Sequence, residues 1–536
     1  MRTIRCSQDN DQAVSVAPMA DHGLLFRFGH SIDASLSERI VAMADHFAHQ
    51  SLPGVQDIIP SYTTLLLIIE PSSADPESLI SVVHHRWSDL VHDTGRIQQR
   101  PEVVIPVAYG GEGGPDLLDV AHSTGLGPEE VIARHTGGSY QVGAIGFAPG
   151  FAFLIGLPPE LATPRRATPR TRVPAGSVGI GGAQTGIYSL PTPGGWSLIG
   201  RTTLKMFDPD RNPPSLLRAG DRIRFQAVTN TTPAPTSRVT PACPTVTFTG
   251  RSALEIVAPG LQDTVQDLGR VGYGPIGVNP AGAADRAALV AGNRLLGNPD
   301  GAAALEMTLV GPQIRFTAPG RIVLSGVDFR ATLNHLPLPV GAVRVVKPGD
   351  DLRFASTPPK RGARAYLCLQ GGIDVPLQLG SWSTDLTAGF GGLEGRPLRS
   401  GDRLAVGTLY GDRGQEPGFI SSIRPTLRVM PGPQRDRFSD DTWRLFLESP
   451  FTISPSSNRM GIRLDGPSLV PQGGADIISE GMVTGAIQVT GSGQPIVALP
   501  GRATIGGYPK IAVVVAADLD ALGQLKPGDR VMFAAG

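Results

Sequence analysis

The sequence predicts a mainly β protein with a small α/β N-terminal subdomain. Two observations carry this reading. Glycine (68) and proline (49) together exceed a fifth of the 536 residues without forming low-complexity runs, the composition of many tight turns joining short strands. Strand–helix alternation is confined to the first hundred or so residues. The length leaves room for roughly two to four domains, each burying its own core.

Residues 1–20 read as polar and unpatterned, which predicts a flexible tail. GLLFRFG reads as a strand. SLSERIVAMADHF follows as a helix, with a capping box at Ser35 and Glu38 and with Leu36, Ile40, Met43 and Phe47 on one face. TTLLLIIE is a buried strand, and Asp75-Pro76 starts a second helix with Leu79, Val83, Trp87 and Leu90 inward. VVIPVAYGG closes this α/β subdomain, 21–105. Short helices are expected around Pro115–Ser123 and Pro128–His135, inside a β domain spanning 106–229. Asn230–Thr247 is dominated by Pro, Thr and Ser, so 230–248 reads as a linker of about 25 Å mean span by the root-n rule. The rest, 249–536, is a second β-rich unit with helices at AADRAALVAGNRLLG and SDDTWRLFLE. RAGDRIRF (218–225), KPGDDLRF (347–354), RSGDRLAV (399–406) and KPGDRVMF (526–533) form an internal repeat: a basic residue, a Gly-Asp turn and an alternating strand, read as structural.

Composition narrows the function. The 47 basic and 47 acidic residues cancel, so no global field draws the chain to nucleic acid or an anionic membrane, and neither partner is expected. Lysine occurs at five positions only, Lys205, Lys347, Lys360, Lys510 and Lys526, which leaves arginine to supply most positive charge. Three scattered cysteines build neither a disulfide framework nor a zinc site. MRTIRCSQDNDQ lacks an apolar signal core and no 18-residue apolar run occurs, so a soluble, cytoplasmic protein is expected. No P-loop, GxGxxG, HExxH or GxSxG pattern is present in a suitable context, no metal site is assigned, and no paired-carboxylate or His–Asp spacing identifies a catalytic residue.

One stretch stands out. LATPRRATPRTRVPAGSVGIGGAQTGIYSLPTPGG places Arg165, Arg166, Arg170 and Arg172 beside a glycine-rich run. Forked donors next to permissive backbone suit a phosphate or carboxylate; equally, the arginines pair with nearby acids and the glycines serve strand turns. The residues alone leave both readings open. As an anion cleft, Arg165, Arg166 and Arg201 face the ligand, with Gln184 and Thr185 as polar contacts. Phe147, Phe151 and Phe153 of GFAPGFAFLIG alternate along a strand interrupted by Pro149-Gly150. In the second half, Gln266, Asp267 and Arg270 fall in a polar turn, while GGYPKI places Tyr508 and Lys510 beside two flexible glycines, where Lys510 either contacts an anion or is an exposed strand-end lysine.

GFAPGFAFLIGLP and the run ATPRRATPRTRVPAGSVGIGGAQTGIYSLPTPGGWSLIGRT resemble the carboxyltransferase-domain family that includes the B component of 5-oxoprolinase, the Kip-type kinase inhibitor and the first of the two allophanate hydrolase subunits. TVQDLGRVGYGPIGVNPAGAADRAALVAGNRLLGNPDGAAALEMTL, STDLTAGFGGLEGR, SNRMGIRLDGP and GGYPKIA resemble the C component of 5-oxoprolinase. The resemblance covers nearly everything after residue 21 except the linker, and it implies tandem cyclophilin-like β-barrel units. It also implies ATP-dependent opening of 5-oxo-L-proline to L-glutamate, with ATP as cosubstrate, Mg2+, and the LamB/YcsF-type A component of 5-oxoprolinase as partner; a homo-oligomer is left open. A lactam carbonyl is a poor electrophile, and phosphorylating its oxygen creates a leaving group. The family's DRQTTGGYPKI is here Gly501, Arg502, Ala503, Thr504 and Ile505 before Gly506; Trp382 replaces a common arginine, and Ala281 and Ala284 alter a stretch in which Asp285 remains as a candidate site residue. The rival readings are a urea-carboxylase-like carboxyltransferase, although Leu204-Lys205-Met206 is no biotinylation site and no covalently attached biotin is expected, and a Kip-type regulatory protein.

Overall fold

The computed structural model describes residues 14–92, 100, 102–229, 252–407 and 423–536. The segment read as the linker lies outside the described residues.

Residues 14–92 form the small α/β unit. Its strands are β1 (Ser15–Pro18), β2 (Gly23–Arg27), β3 (Val55–Ser61) and β4 (Thr64–Ile69), in the antiparallel order β1-β2-β4-β3. Two helices, α1 (Ala34–Ala48) and α2 (Pro76–His92), cover one face. Period-2 alternation explains the apolar run TTLLLIIE: Leu65 and Leu67 join the helix-side core with Phe26, Ile40, Phe47, Val83 and Trp87, while Leu66 points the other way. That second face, with Leu25, Ile59 and Tyr62, packs on Met482, Val483, Ala498, Ile505 and Val513 of the C-terminal barrel, so one core is shared between the two halves of the chain.

Three expectations need correction here. The tail reading fails from residue 14 onward, because the alternating apolar side chains of β1 pair with β2 and bury Val14, Val16 and Met19. The α1 cap is Asp33, whose Oδ1 accepts the Leu36 N–H at 2.8 Å, rather than Ser35. The strand assigned to the end of the subdomain, β5 (Glu102–Tyr109), belongs to the next unit.

That unit is a closed seven-stranded barrel. It is built from β5, β6 (Tyr140–Ile145), β7 (Ala152–Ile155), β9 (Ser177–Gly181), β10 (Gln184–Ile187), β12 (Ser197–Arg201) and β13 (Arg222–Ala227). A side ribbon of β8 (Arg170–Val173) and β11 (Thr192–Gly194) stands beside it. Closure comes from parallel pairing of β13 with β5, which puts Ile223 and Phe225 into the barrel core. The short helices α3 (Leu117–Thr124) and α4 (Pro128–Gly137) contribute Val120 and Val131 to that core.

Residues 252–407 form two sheets, of seven and five strands, around a common core containing Leu254, Ile314, Leu305 and Leu367, with α5 (Arg286–Leu295) outside the five-stranded sheet. Residues 423–536 close a second seven-stranded barrel, again by parallel pairing of its first strand, Thr426–Pro431, with its last, Arg530–Ala535. The molecule is mainly β with tandem cyclophilin-like barrel units.

The repeat is one turn used four times. Gly220, Gly349, Gly401 and Gly528 hold φ of 84°, 92°, 88° and 85°. In each turn the following aspartate accepts the backbone N–H three residues upstream, at 2.8 Å for Asp221 and Asp350, 2.7 Å for Asp402 and 3.1 Å for Asp529. Glycine supplies the left-handed backbone and aspartate ties the turn, which leads into a sheet strand each time.

Candidate functional site

A cleft of about 630 Å3 separates the first barrel from the C-terminal barrel. The first barrel contributes Phe147, Phe151, Phe153, Arg165, Arg166, Tyr188 and Trp196, and the C-terminal barrel contributes Arg463, Met482, Arg502, Ile505 and Tyr508. Four arginines and a single carboxylate, Asp476, line it, so its field favours an anion. Its aromatic floor is tightly built: Phe151 meets Phe153, Tyr188 and Trp196 with ring centroids at 4.5, 5.0 and 5.8 Å. Gly181 makes room for Trp196, since a Cβ there would lie 2.5 Å from the indole. The arrangement suits a ligand with a negative group and a flat apolar body.

Local structure places these groups. The β6 strand ends at Ile145, and the chain turns through Phe147, at φ 65°, and Gly150, at φ 73°, before β7 begins. Phe147 and Phe151 therefore both lie off the strands and only Phe153 is on one, a correction to the alternating reading; the Phe147 ring projects partly exposed into the cleft, 5.4 Å from Phe151. Left-handed backbone at a bulky aromatic is strained and occurs where the surroundings impose it. Burial pushes the Tyr188 hydroxyl up to about 12, against the Trp196 backbone and the charges of Arg165 and Arg170, so it stays a neutral hydrogen-bonding group.

The arginine cluster divides between the two readings left open. Asp116 is buried and takes Arg166 at 3.1 Å, Arg170 at 2.7 Å and the Leu198 N–H at 2.7 Å. Arg170 is thus a structural partner. Arg166, with a side chain 39% exposed, and Arg165 border the cleft. Arg201 lies outside it and donates to the Ala175 carbonyl at 3.0 Å. Gln184 reaches the Tyr62 hydroxyl at 2.5 Å, tying the barrel to the small sheet. Thr185 is fully buried inside the barrel: it donates to the Gly179 carbonyl at 3.0 Å, so the 3.0 Å contact with His135 Nε2 makes that ring nitrogen the donor. His135 Nδ1 then accepts from Tyr109 at 2.7 Å, and burial holds this histidine neutral, near 3.

In the second half only Tyr508 of the expected residues lines the cleft. Lys510 is a correction. Its side chain is 0% exposed, and Nζ is held at 2.9 Å by Glu480, which also takes Arg27 of β2 at 2.8 Å and Gln434 at 2.7 Å. It joins the C-terminal barrel to the small sheet and has no surface to offer a ligand. Gln266, Asp267 and Asp285 are likewise buried in structural roles. Gln266 bonds Thr264 and the Thr384 carbonyl. Asp267 accepts from Ser381, Ser383 and the Trp382 and Gly269 N–H groups. Asp285 caps α5 through Ala288 and accepts from Gln524 at 2.7 Å, across the junction with the C-terminal barrel. Arg270 donates to the Ser383 carbonyl and lies 4.5 Å over the Phe390 ring. Arg463, Met482 and Arg502 were not anticipated, because strand alternation does not say which barrel face a neighbour will cover. Among the described residues no group of three or more His, Cys, Asp or Glu side chains could hold a metal ion.

Residues 276–535 match the family model for the carboxyltransferase domain, subdomain A and B, and residues 14–217 match that for subdomain C and D. The chain is 39% identical over 281 residues to the C component of Escherichia coli K12 5-oxoprolinase, covering 52% of this chain and 90% of that protein. It belongs to the carboxyltransferase-domain family. The first half is similar to the B component of Bacillus subtilis 5-oxoprolinase, 42% identical over 220 residues, covering 39% of this chain and 91% of that one. The carboxyltransferase-domain halves are therefore a fused B/C pair. The crystal structure of TTHA0988 shares the whole arrangement, with TM-score 0.82, 36% identity and coverage of 96% of this chain and 99% of that one. Urea amidolyase of Lachancea kluyveri is 35% identical over 311 residues, 52% of this chain but 17% of that protein. No helix among the described residues is long and apolar enough to cross a membrane.

Proposed function

We propose that this chain is the fused B/C component of an ATP-dependent 5-oxoprolinase, opening 5-oxo-L-proline to L-glutamate together with a LamB/YcsF-type protein. The observation that carries the reading is that each half resembles a different component of that one enzyme while the cleft takes its walls from both halves. ATP and 5-oxoproline are both anions with a flat ring, the ligand class that four arginines and an aromatic floor favour. In this scheme the lactam oxygen takes the γ-phosphoryl group of ATP and ADP leaves; one water attacks the activated carbon and the ring nitrogen departs as the amine, leaving an acyl phosphate that a second water hydrolyses to the glutamate carboxylate and phosphate. Mg2+ bound with ATP would neutralise phosphate charge; this chain's arginines would orient the anions and its aromatic rings would keep bulk water out. The likeness to urea amidolyase favours a second reading, a carboxyltransferase, which requires a biotin-carboxylase partner.

The test is coupled ADP and glutamate release by the full chain with a LamB/YcsF-type protein. Arg166→Ala is expected to weaken substrate or nucleotide binding at least tenfold while Tm moves by only a few degrees, because Asp116 keeps Arg170 and the Leu198 N–H. Carboxyl transfer from a biotinylated partner, with no oxoproline opening, would favour the second reading.

A further inference from the structure

A second cavity, of about 350 Å3, lies where three units meet: the β3–β4 sheet, the 270–286 stretch of the second half, and the C-terminal barrel. That volume is at the small end of ligand sites. Its acids are already engaged. Asp57 Oδ2 accepts the Gly274 N–H at 3.0 Å, Glu70 accepts from Gln56 at 2.8 Å, and Asp520 accepts the Arg286 N–H at 2.8 Å. His22 is held between Asp21 and the Thr484 carbonyl, at 3.1 and 2.9 Å. Arg286 is exposed; Arg270 donates through Nη2 to the Ser383 carbonyl and lies over Phe390, while its Nε and Nη1 have no hydrogen-bond partner among the described residues.

Two further side chains keep buried donors without a partner. Arg502 is 4% exposed, and its Nε and Nη1 have no hydrogen-bond partner among the described residues. Thr504, two residues on, is 1% exposed with Oγ1 also unpartnered. Both residues line this cavity. Asp57 is near enough for its charge to act on Arg502, but no hydrogen bond joins them among the described residues. Burial draws the arginine down only to about 10, so it remains a cation at neutral pH. A buried guanidinium and a buried hydroxyl without partners are costly unless something supplies acceptors.

We infer that this cavity is a binding site for a small oxyanion, a carboxylate or a phosphate, held by the Arg502 fork and the Thr504 hydroxyl. The planar guanidinium matches two oxygens of either group, and the hydroxyl donates to a third acceptor position. The site is separate from the cleft, which Thr504 and Asp57 do not line, although Arg502 stands in the wall between the two.

Isothermal calorimetry on the full chain, with inorganic phosphate and separately with acetate, reads the site without any activity assay. One of the two probes is expected to bind at one per chain. Arg502→Gln should weaken it at least tenfold, Thr504→Val about threefold, and Asp57→Asn should tighten it severalfold by removing the opposing charge, while Arg166→Ala leaves it unchanged. Phosphate alone binding identifies a phosphate site, and acetate alone a carboxylate site. Should Arg502→Gln fail to fold, the wild-type chain crystallised with selenate, or with bromoacetate, decides: an anomalous peak within hydrogen-bond reach of Arg502 and Thr504 supports the site. No binding of either probe, equal binding by Arg502→Gln, loss of binding in Arg166→Ala, or a peak only in the cleft would each overturn it. The Arg166→Ala arm separates failure of this site from failure of the oxoprolinase reading.

Discussion

At Asp57 a carboxylate sits on β3 between Gln56 and Ile58, and desolvation pushes it up to about 6 against the pull of Gly274 and Arg502. The sign follows from proton binding. Between about pH 4 and pH 6 the folded chain keeps a proton that the unfolded chain has released, so stability falls as pH rises through that window and is level above it. Asp57→Asn removes the penalty. Its Tm at pH 7.5 is expected to exceed wild type by the equivalent of about 1–2 kcal/mol, after allowance for solvent in the cavity, and to match it below about pH 4; an advantage that persists at pH 4 would contradict this origin. Lys510 gives the opposite lesson. Removing one member of a buried pair strands the other, so Lys510→Ala is expected to cost about 3–5 kcal/mol, checked by urea denaturation. Glu480 retains Arg27 and Gln434, and Glu480→Gln in the Lys510→Ala background should recover part of the loss. The sequence marks Lys510 as conspicuous but not as buried. Its rarity is visible in the chain, whereas its partner Glu480, thirty residues upstream, and Arg27, in the other half, become neighbours only through the fold.

Elements were more legible than residues. Helix faces in α1 and α2 follow directly from a 3.6-residue period, and Ile40, Met43, Phe47, Leu79, Val83, Trp87 and Leu90 are buried as that period requires. The four Gly-Asp turns are equally plain, because the backbone need and the side-chain bond both lie within four residues. They allow a graded expectation. At Gly528 a Cβ meets nothing within 4 Å, so Gly528→Ala should cost only the left-handed backbone penalty of about 1–2 kcal/mol. At Gly220 a Cβ would also approach Val41 Cγ1 at 3.0 Å, so Gly220→Ala should cost more. Equal losses of Tm would show that the α1 contact is slack. Strand membership was less visible: β5 reads as the end of the first unit because it follows it in sequence, yet its parallel partner β13 starts more than a hundred residues later. The cleft shares this difficulty. Phe151 and Tyr508 are prominent in the sequence, but nothing local says that the first and last barrels face one another.

At the scale of the whole molecule, the two halves are held by more than a covalent connection. Met19, Leu25, Ile59, Tyr62 and Leu66 share one core with Met482, Val483, Ala498, Ile505 and Val513, and Arg27 bonds Glu480 across the same boundary. The central claim is that these halves form one ligand cleft rather than two independent sites. Separately expressed fragments 1–235 and 245–536, alone and recombined, test it in the coupled ADP and glutamate assay with a LamB/YcsF-type partner. Each fragment alone is expected to be inactive, and mixing should restore turnover with a dependence on fragment concentration that reports their reassociation. Turnover by either fragment alone at the rate of the full chain would contradict the shared cleft.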